Sequence, residues 1–317
     1  MSPVSPINNE RRLAWIAWIA VCLLWGTTYL AIRIALESVP VALLAGLRWM
    51  TAGLLMAVVL RASGQALPGP RTWPSLALLG FLMSVMGNGL VVWAEQYVAS
   101  GLAAVVVAMV PFWTVALEAV LPNGERLSGR TLIGLSLGFA GIVVLVWPEL
   151  MASGTGNGFV FGIIALQLAC FGWALGTSFS KRHGSGLNPL ASSAMQMIFG
   201  GLILTAIGTA TGEWSQLAFT TRTAAAMIYL VLFGSIVGYS AYVYALRHLP
   251  LSTVSLYAYV NPIIAVILGA VLLSEPFNAR VIAAAAMVLT GIAVVRMKRV
   301  PAAQRLQSSA TAPKAAA

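Results

Sequence analysis

The sequence predicts an all-α integral membrane protein: ten transmembrane helices arranged as two inverted five-helix repeats. Three observations predict it. The 317 residues are 60% hydrophobic and only 8% charged, whereas a soluble domain carries about 25% charged residues. So much apolar surface cannot be hidden from water in one globule, so the solvent must be lipid. Charge-free runs at 13–32, 72–94, 96–117 and 223–246 are each long enough for a helix across the bilayer, which takes about 20 residues. Leu, Ala, Val and Gly dominate them without strict alternation, which argues for helices over barrel strands. Finally, the chain repeats itself. With Pro111 set on Pro262, Val115 meets Val266, Leu117 meets Leu268, and Ala119-Val120-Leu121 meets Ala270-Val271-Leu272. After a one-residue gap Glu125 meets Glu275, Arg130 meets Arg280 and Gly141-Ile142 meets Gly291-Ile292. Upstream, Cys22, Trp25 and Arg33 match Cys170, Trp173 and Lys181 at equal spacing. Repeats of this kind define the architecture before any single motif does.

The elements follow in order. A cytoplasmic arm, 1–12, ends at Arg11-Arg12. The first span, 13–34, is too long for a signal peptide and runs on without a small-residue cleavage site. The second, 40–60, contains Arg48, and the third is the charge-free stretch 72–94. The fourth, 99–121, carries Pro111 and Glu118; the fifth, 129–147, sets Gly134, Gly138 and Gly141 on one face for close helix packing in lipid. These make the first repeat, 13–148. A linker at 149–157, rich in Gly, Ser and Thr, joins the halves. Its glycines lack the preceding strand and following Lys of a phosphate loop. The second repeat, 158–297, holds spans at 158–180, 189–211, 223–246, 250–273 and 279–297. The tail, 298–317, is Ala, Ser, Gln and Pro with isolated bases; it cannot form a core and reads as disordered and cytoplasmic.

Loop charge sets orientation. With a cytoplasmic N-terminus the inner side holds Arg11, Arg12, Arg61, Arg71, Arg126, Arg130, Lys181, Arg182, Arg247, Arg296, Lys298, Arg299, Arg305 and Lys314, against Arg33, Arg222 and Arg280 outside. The positive-inside rule therefore places both termini in the cytoplasm. Two halves of five spans each must then have opposite orientation. The net charge of +10 is spread over helix ends rather than gathered in one patch, which argues against nucleic acid.

Inverted repeats in an all-helical membrane protein are the usual architecture of secondary carriers, with the substrate held near the midplane where the halves meet. Pro111 and Pro262, mid-span in matching helices, read either as plain kinks or as hinges that let a helix end gate a cavity. Asn261 favours the hinge, since its amide can satisfy freed backbone or face a ligand. Arg48 lies about 12 Å below the surface at 1.5 Å per residue. A charge at that depth faces the bundle interior, either lining a cavity for an anionic group or serving as a structural anchor. Glu118 reads as the only carboxylate well inside a span. It is a candidate coupling site, or else a partner of Arg126 or Lys181 at the inner rim. Trp25, Tyr29, Asn88, Trp113, Trp173, Gln196 and Tyr259 join Arg48 and Asn261 as candidate substrate contacts, because aromatic walls with a few amides suit an amphipathic organic solute. Cys22 and Cys170 read as packing residues.

Enzyme chemistry finds no support. There is no Asp, the histidines His183 and His248 sit in inner loops beside bases, and no HExxH, GxSxG or nucleotide-binding loop occurs. No metal site or cofactor is expected. The start Leu23-Leu24-Trp25-Gly26-Thr27-Thr28-Tyr29, the Arg48 helix, the Pro111 to Glu125-Arg126 signature and its copy Pro262 to Glu275 resemble EamA-type permeases of the drug/metabolite transporter superfamily. The second copy departs from the pattern, with Pro276 where a base follows the first Glu. The resemblance implies a bacterial inner-membrane carrier with ten helices, exporting amino acids, related metabolites or drugs. The expectation is a secondary transporter that exports small amphipathic metabolites by alternating access. The competing reading is a non-transporting scaffold or sensor subunit. Its partners are a small-molecule substrate and the lipid bilayer, and the sequence fixes no oligomeric state.

Overall fold

A computed structural model describes residues 6–121, 129–151, 157–183, 188–249, 254, 257–275 and 277–296. The start of the N-terminal arm (1–5), the middle of the linker (152–156), the tail, and the Glu125-Arg126 pair lie outside the described residues. Among the described residues every element is helical. In order they are α1 (Pro6–Ala35), α2 (Val41–Ala62), α3 (Pro70–Ala94), α4 (Ser100–Val120), α5 (Gly129–Met151), α6 (Asn157–His183), α7 (Pro189–Ala210), α8 (Thr221–His248), α9 (Tyr257–Leu273) and α10 (Ala279–Arg296). Seven described helices are long and apolar enough to cross a membrane; shorter apolar helices lie at Leu132–Val144, Val260–Leu273 and Ala279–Val294. Large apolar side chains such as Ile16, Val58, Val59, Ile133, Phe161 and Val271 point outward. In water they would be a liability; in lipid they are the natural surface.

The two copies meet as antiparallel pairs. Along α2 and α7, Leu43 lies against Gly208, Gly46 against Thr205 and Met50 against Gly201, so one index rises as the other falls. In α5 and α10, Gly141 lies against Ala284 and Val288, while Gly291 lies against Gly134 and Gly138. These glycines let backbones touch: a Cβ on Gly291 would sit 2.6 Å from the Gly134 carbonyl oxygen. For α4 and α9, Gly101 meets Val266 and Ser100 meets Gly269. By contrast α1 runs parallel to α9 (Trp18 at Val254, Gly26 at Ile264). Likewise α6 runs parallel to α4 (Gly162 at Val98, Cys170 at Val106).

The copies also share local devices. Both α3 and α8 open into π-helical turns, at Gly80–Gly89 and Leu230–Val237. Both α2 and α7 are followed by a left-handed glycine, Gly64 at φ 76° and Gly212 at φ 74°, where only Gly turns the chain without strain. The next residue in each copy reaches the start of the matched helix. Glu213 accepts from the Ala42 and Leu43 amides (3.3 and 2.9 Å) at the start of α2, whose N-cap Pro40 offers no side-chain bond. Gln65 accepts from Asn188 (3.1 Å), and Asn188 itself caps α7 through Leu190 and Ala191. In the α4–α9 pair Glu275 accepts from the Ser100 and Gly101 amides (2.7 and 3.1 Å), capping α4. Carboxylates suit helix N-termini because four amides there lack intrahelical partners.

Candidate functional site

A cavity of about 890 Å³ lies between the halves, walled by α1, α2, α3, α4, α6, α8, α9 and α10. Trp25 and Trp173, the matched tryptophans of the two copies, touch edge to face across it, with ring centroids 6.5 Å apart. Residues that are each other's repeat mates and also touch mark the pseudo-two-fold axis, so the cavity sits on that axis. Trp25 further packs on Tyr239, Tyr242 and Tyr257 at 6.2, 5.1 and 5.1 Å. Its indole N–H donates to the Gly234 carbonyl (3.1 Å). That carbonyl belongs to the π-helical turn of α8, whose wider winding brings backbone groups within reach of neighbouring side chains.

Arg48 is only 3% exposed. Its Nε donates to Ser235 Oγ (3.0 Å), and Ser235 in turn donates to the Leu230 carbonyl (3.0 Å) inside the same π-helical turn. The guanidinium lies 4.6 Å from the ring centre of Trp49, a cation–π contact that strengthens when water is excluded. Among the described residues its terminal nitrogens have no protein hydrogen-bond acceptor, and Arg48 lines the cavity. A guanidinium held by Nε keeps its outer N–H edge free for a carboxylate or similar anion.

The other sequence candidates divide. Tyr29, Asn88, Asn261, Pro111 and Pro262 line the cavity with Trp25, Trp173 and Arg48. Asn88 turns its amide onto its own helix, donating to the Met83 carbonyl (2.8 Å). The Asn261 amide, in the orientation that satisfies it, donates to the Cys22 and Tyr257 carbonyls (3.0 and 3.1 Å), tying α9 to α1. The matched prolines behave differently. Pro111 restarts α4 after a break at Ala108 and Met109, while Pro262 stays inside a continuous α9. Trp113 lies outside the cavity lining. It donates to Gln167 Oε1 (2.8 Å) and packs edge-on to Phe139 and Phe171. Gln196 stands behind the wall, buried, donating to the Tyr239 hydroxyl (3.0 Å). The side chain of Tyr259 lies outside the described residues. Glu118 accepts from Ser178 Oγ (2.9 Å) and pairs with Arg182 at 3.3 Å; Arg126 and the side chain of Lys181, the partners the sequence suggests, lie outside the described residues. Among the described residues no cluster of His, Cys, Asp and Glu could hold a metal ion.

Two family-model matches, at residues 12–147 and 160–297, fit the EamA-like transporter family. The chain belongs to that family. Among its relatives, a protein named "Uncharacterized inner membrane transporter YedA" of Escherichia coli K12 is 35% identical over 254 residues, 80% of each chain. "Uncharacterized transporter YvbV" of Bacillus subtilis is 26% identical over 87% of this chain and 89% of that one. A "Probable amino-acid metabolite efflux pump" of Escherichia coli K12 is 25% identical over 86% and 91%. One solved crystal structure shares the fold, with a TM-score of 0.64 at 22% identity over 89% of this chain and 97% of that one. This EamA-like protein is therefore a membrane transporter by family.

Sequence reasoning missed one group in this EamA-like chain. Besides Glu118, which lies inside a span, a second acid is buried just past one: Glu95, the first residue after the apolar stretch Pro70–Ala94, is 0% exposed. Both its carboxylate oxygens are buried without a hydrogen-bond partner. Burial pushes its carboxyl well above the usual carboxylate range, Glu275 adds to the rise, and Arg33 and Arg48 oppose it. Hydropathy ends the third span at residue 94, where the apolar helix also ends, and so passes over Glu95. The signal was there in the sequence Trp93-Ala94-Glu95-Gln96-Tyr97, a lone acid between two apolar runs.

Proposed function

We propose that this EamA-like transporter is a secondary carrier that exports small amphipathic metabolites bearing an anionic group, amino-acid-like compounds among them, by alternating access. In this reading the chain crosses the membrane ten times as two inverted five-helix repeats, 13–148 and 158–297, with both termini cytoplasmic. One observation carries it: the axial cavity joins a single guanidinium, Arg48, to walls of Trp25, Trp173, Tyr242 and Tyr257. A cavity of about 890 Å³ falls in the range of about 300–1,000 Å³ usual for organic ligands. The antiparallel matched helices support rocking of one half against the other. The printed name of the efflux-pump relative agrees with export of amino-acid metabolites. Asn88, Asn261 and Tyr29 complete the polar rim of the site, and Pro111 and Pro262 serve as hinges.

Metabolite profiling of cells that overproduce the protein identifies candidate solutes. Flux of the leading candidate through proteoliposomes then tests the site. Arg48→Ala is expected to lower that flux at least tenfold in protein that remains folded. Flux unchanged by Arg48→Ala would end the anion-anchor assignment.

A further inference from the structure

Glu95 sits where the turn after α3 enters α4, at one end of the molecule. It is 0% exposed, and neither carboxylate oxygen has a hydrogen-bond partner. No base lies within ion-pair distance of it among the described residues. Arg33 on α1 is adjacent, yet its guanidinium donates to the Glu95 main-chain carbonyl rather than to the carboxylate. The other groups that face Glu95 are Arg48 from α2, Glu275 from the turn after α9, and Tyr29 from α1. From α6, Gly162 packs on this end against Ala94 and Val98, and Cys170 faces Tyr29 rather than the carboxyl. An ionised carboxylate in that setting would lose its hydration and gain no bond in return. Glu275, which accepts from the Ser100 and Gly101 amides, opposes a second negative charge at Glu95 as well. A neutral acid pays much less for its lost hydration and meets no charge repulsion.

We propose that Glu95 is a proton-binding site. Its carboxyl carries a proton in this closed arrangement and loses it to water when the α3–α4 turn parts from α1 and from Glu275. The resulting carboxylate then pairs with Arg33 or Arg48. The proton leaves as hydronium and returns by the reverse step, so no other reactant is needed. Tyr29 stands between this site and the solute cavity, which it lines. Resting on the carrier reading, proton release at Glu95 therefore couples solute movement to a proton gradient. The site is not a product of the repeat. At the spacing of Pro111 to Pro262, Glu95 matches Leu246, so the carboxyl has no counterpart in the second copy.

The test is infrared spectroscopy of the full chain reconstituted in lipid at pH 7, where a protonated carboxyl gives its own C=O band. Wild type is expected to show the band. Glu95→Gln, which keeps the shape and neutrality of the protonated acid, is expected to lose it. Glu95→Asp is expected to shift it, and Glu118→Gln, a change at the ion pair with Arg182, to retain it. Absence of the band in wild type, or its full persistence in Glu95→Gln, overturns the proton site whether or not a solute has been found. For the coupling, flux of the solute identified above is measured with and without a pH gradient. The gradient dependence should vanish in Glu95→Gln while solute exchange at equal pH continues. Gradient dependence that survives in Glu95→Gln overturns the coupling and leaves the carrier reading intact.

Discussion

Arg48 shows how one side chain can be both anchored and available. The Ser235 bond and the Trp49 ring hold the guanidinium in place, and the cavity receives its outer edge. Lysine keeps the charge but loses both the Nε donor and the flat face. Arg48→Lys is therefore expected to retain partial flux, reduced by roughly tenfold, which corresponds to about 1.4 kcal/mol, with Arg48→Ala lower still. Equal flux in Arg48→Lys and wild type would show that charge alone suffices. Glu95 makes a stability prediction of its own. An acid whose carboxyl is raised by burial binds a proton in the folded state that the unfolded chain has already released above the ordinary carboxylate range. Stability then falls as pH rises from that range toward the folded value, by up to about 1.4 kcal/mol per pH unit. Melting curves in detergent between pH 5 and pH 8 should slope downward for wild type and flatten in Glu95→Gln. Parallel curves would contradict a proton held at this position.

Helix ends carry the next layer of specificity. The start of α2 has a proline N-cap with no side-chain bond, so Glu213 supplies the acceptors from the far half. The start of α7 has its own Asn188, and Gln65 only steadies that residue. Removing Glu213 should therefore cost more than removing Gln65. Glu213→Ala is expected to destabilise by about 1–2 kcal/mol, and Gln65→Ala by less than half of that, read as the difference in melting temperature. Equal effects would mean that neither contact caps. Much of this layer is invisible in sequence. Pro111 and Pro262 align, and the pairing of their helices follows from it. Yet one proline restarts a broken helix and the other sits in a continuous one. The π-helical turns at Gly80–Gly89 and Leu230–Val237 leave no periodicity to read in segments that are apolar all round. The same uniformity hid which aromatics face inward. Trp25 and Trp173 could be paired as repeat mates, whereas Trp113, equally deep, turns to Gln167 between α4 and α6.

At the scale of the whole molecule, duplication explains why a cavity exists at all. Matched helices that pack antiparallel cannot be superposed by sliding; one copy must be turned over. The axis of that operation passes between Trp25 and Trp173, and groups near such an axis come in pairs that leave space between them. Departures from symmetry then carry direction. Arg48 matches Gln196 at the spacing of Cys22 to Cys170, and Glu95 matches Leu246 at that of Pro111 to Pro262. At these two buried positions the ionisable group comes from the first copy, and the second supplies neutral residues such as Ser235 against Arg48. In the sequence an expected odd number of spans per copy and the side-dependent placement of bases point to an inversion, and the antiparallel packing of matched helices agrees with it. The sequence left Glu95 hidden because a span boundary drawn from hydropathy stops at the first charge.

The inversion has a direct consequence for labelling. Gly64 and Gly212 occupy matched turns after α2 and α7, and those helices are antiparallel in contact. Cysteines placed beside them, Ser63→Cys and Thr211→Cys in a background carrying Cys22→Ala and Cys170→Ala, must therefore face opposite sides of the membrane. A membrane-impermeant maleimide added to intact cells is expected to label Thr211→Cys and to reach Ser63→Cys only after the membrane is opened. The expected direction follows the positive-inside rule, because Arg61 and Arg71 flank the first turn. The reverse pattern would keep the inversion and flip the orientation. Labelling of both sites from the same side would contradict the antiparallel pairing, and with it the axial cavity as a passage between two aqueous faces.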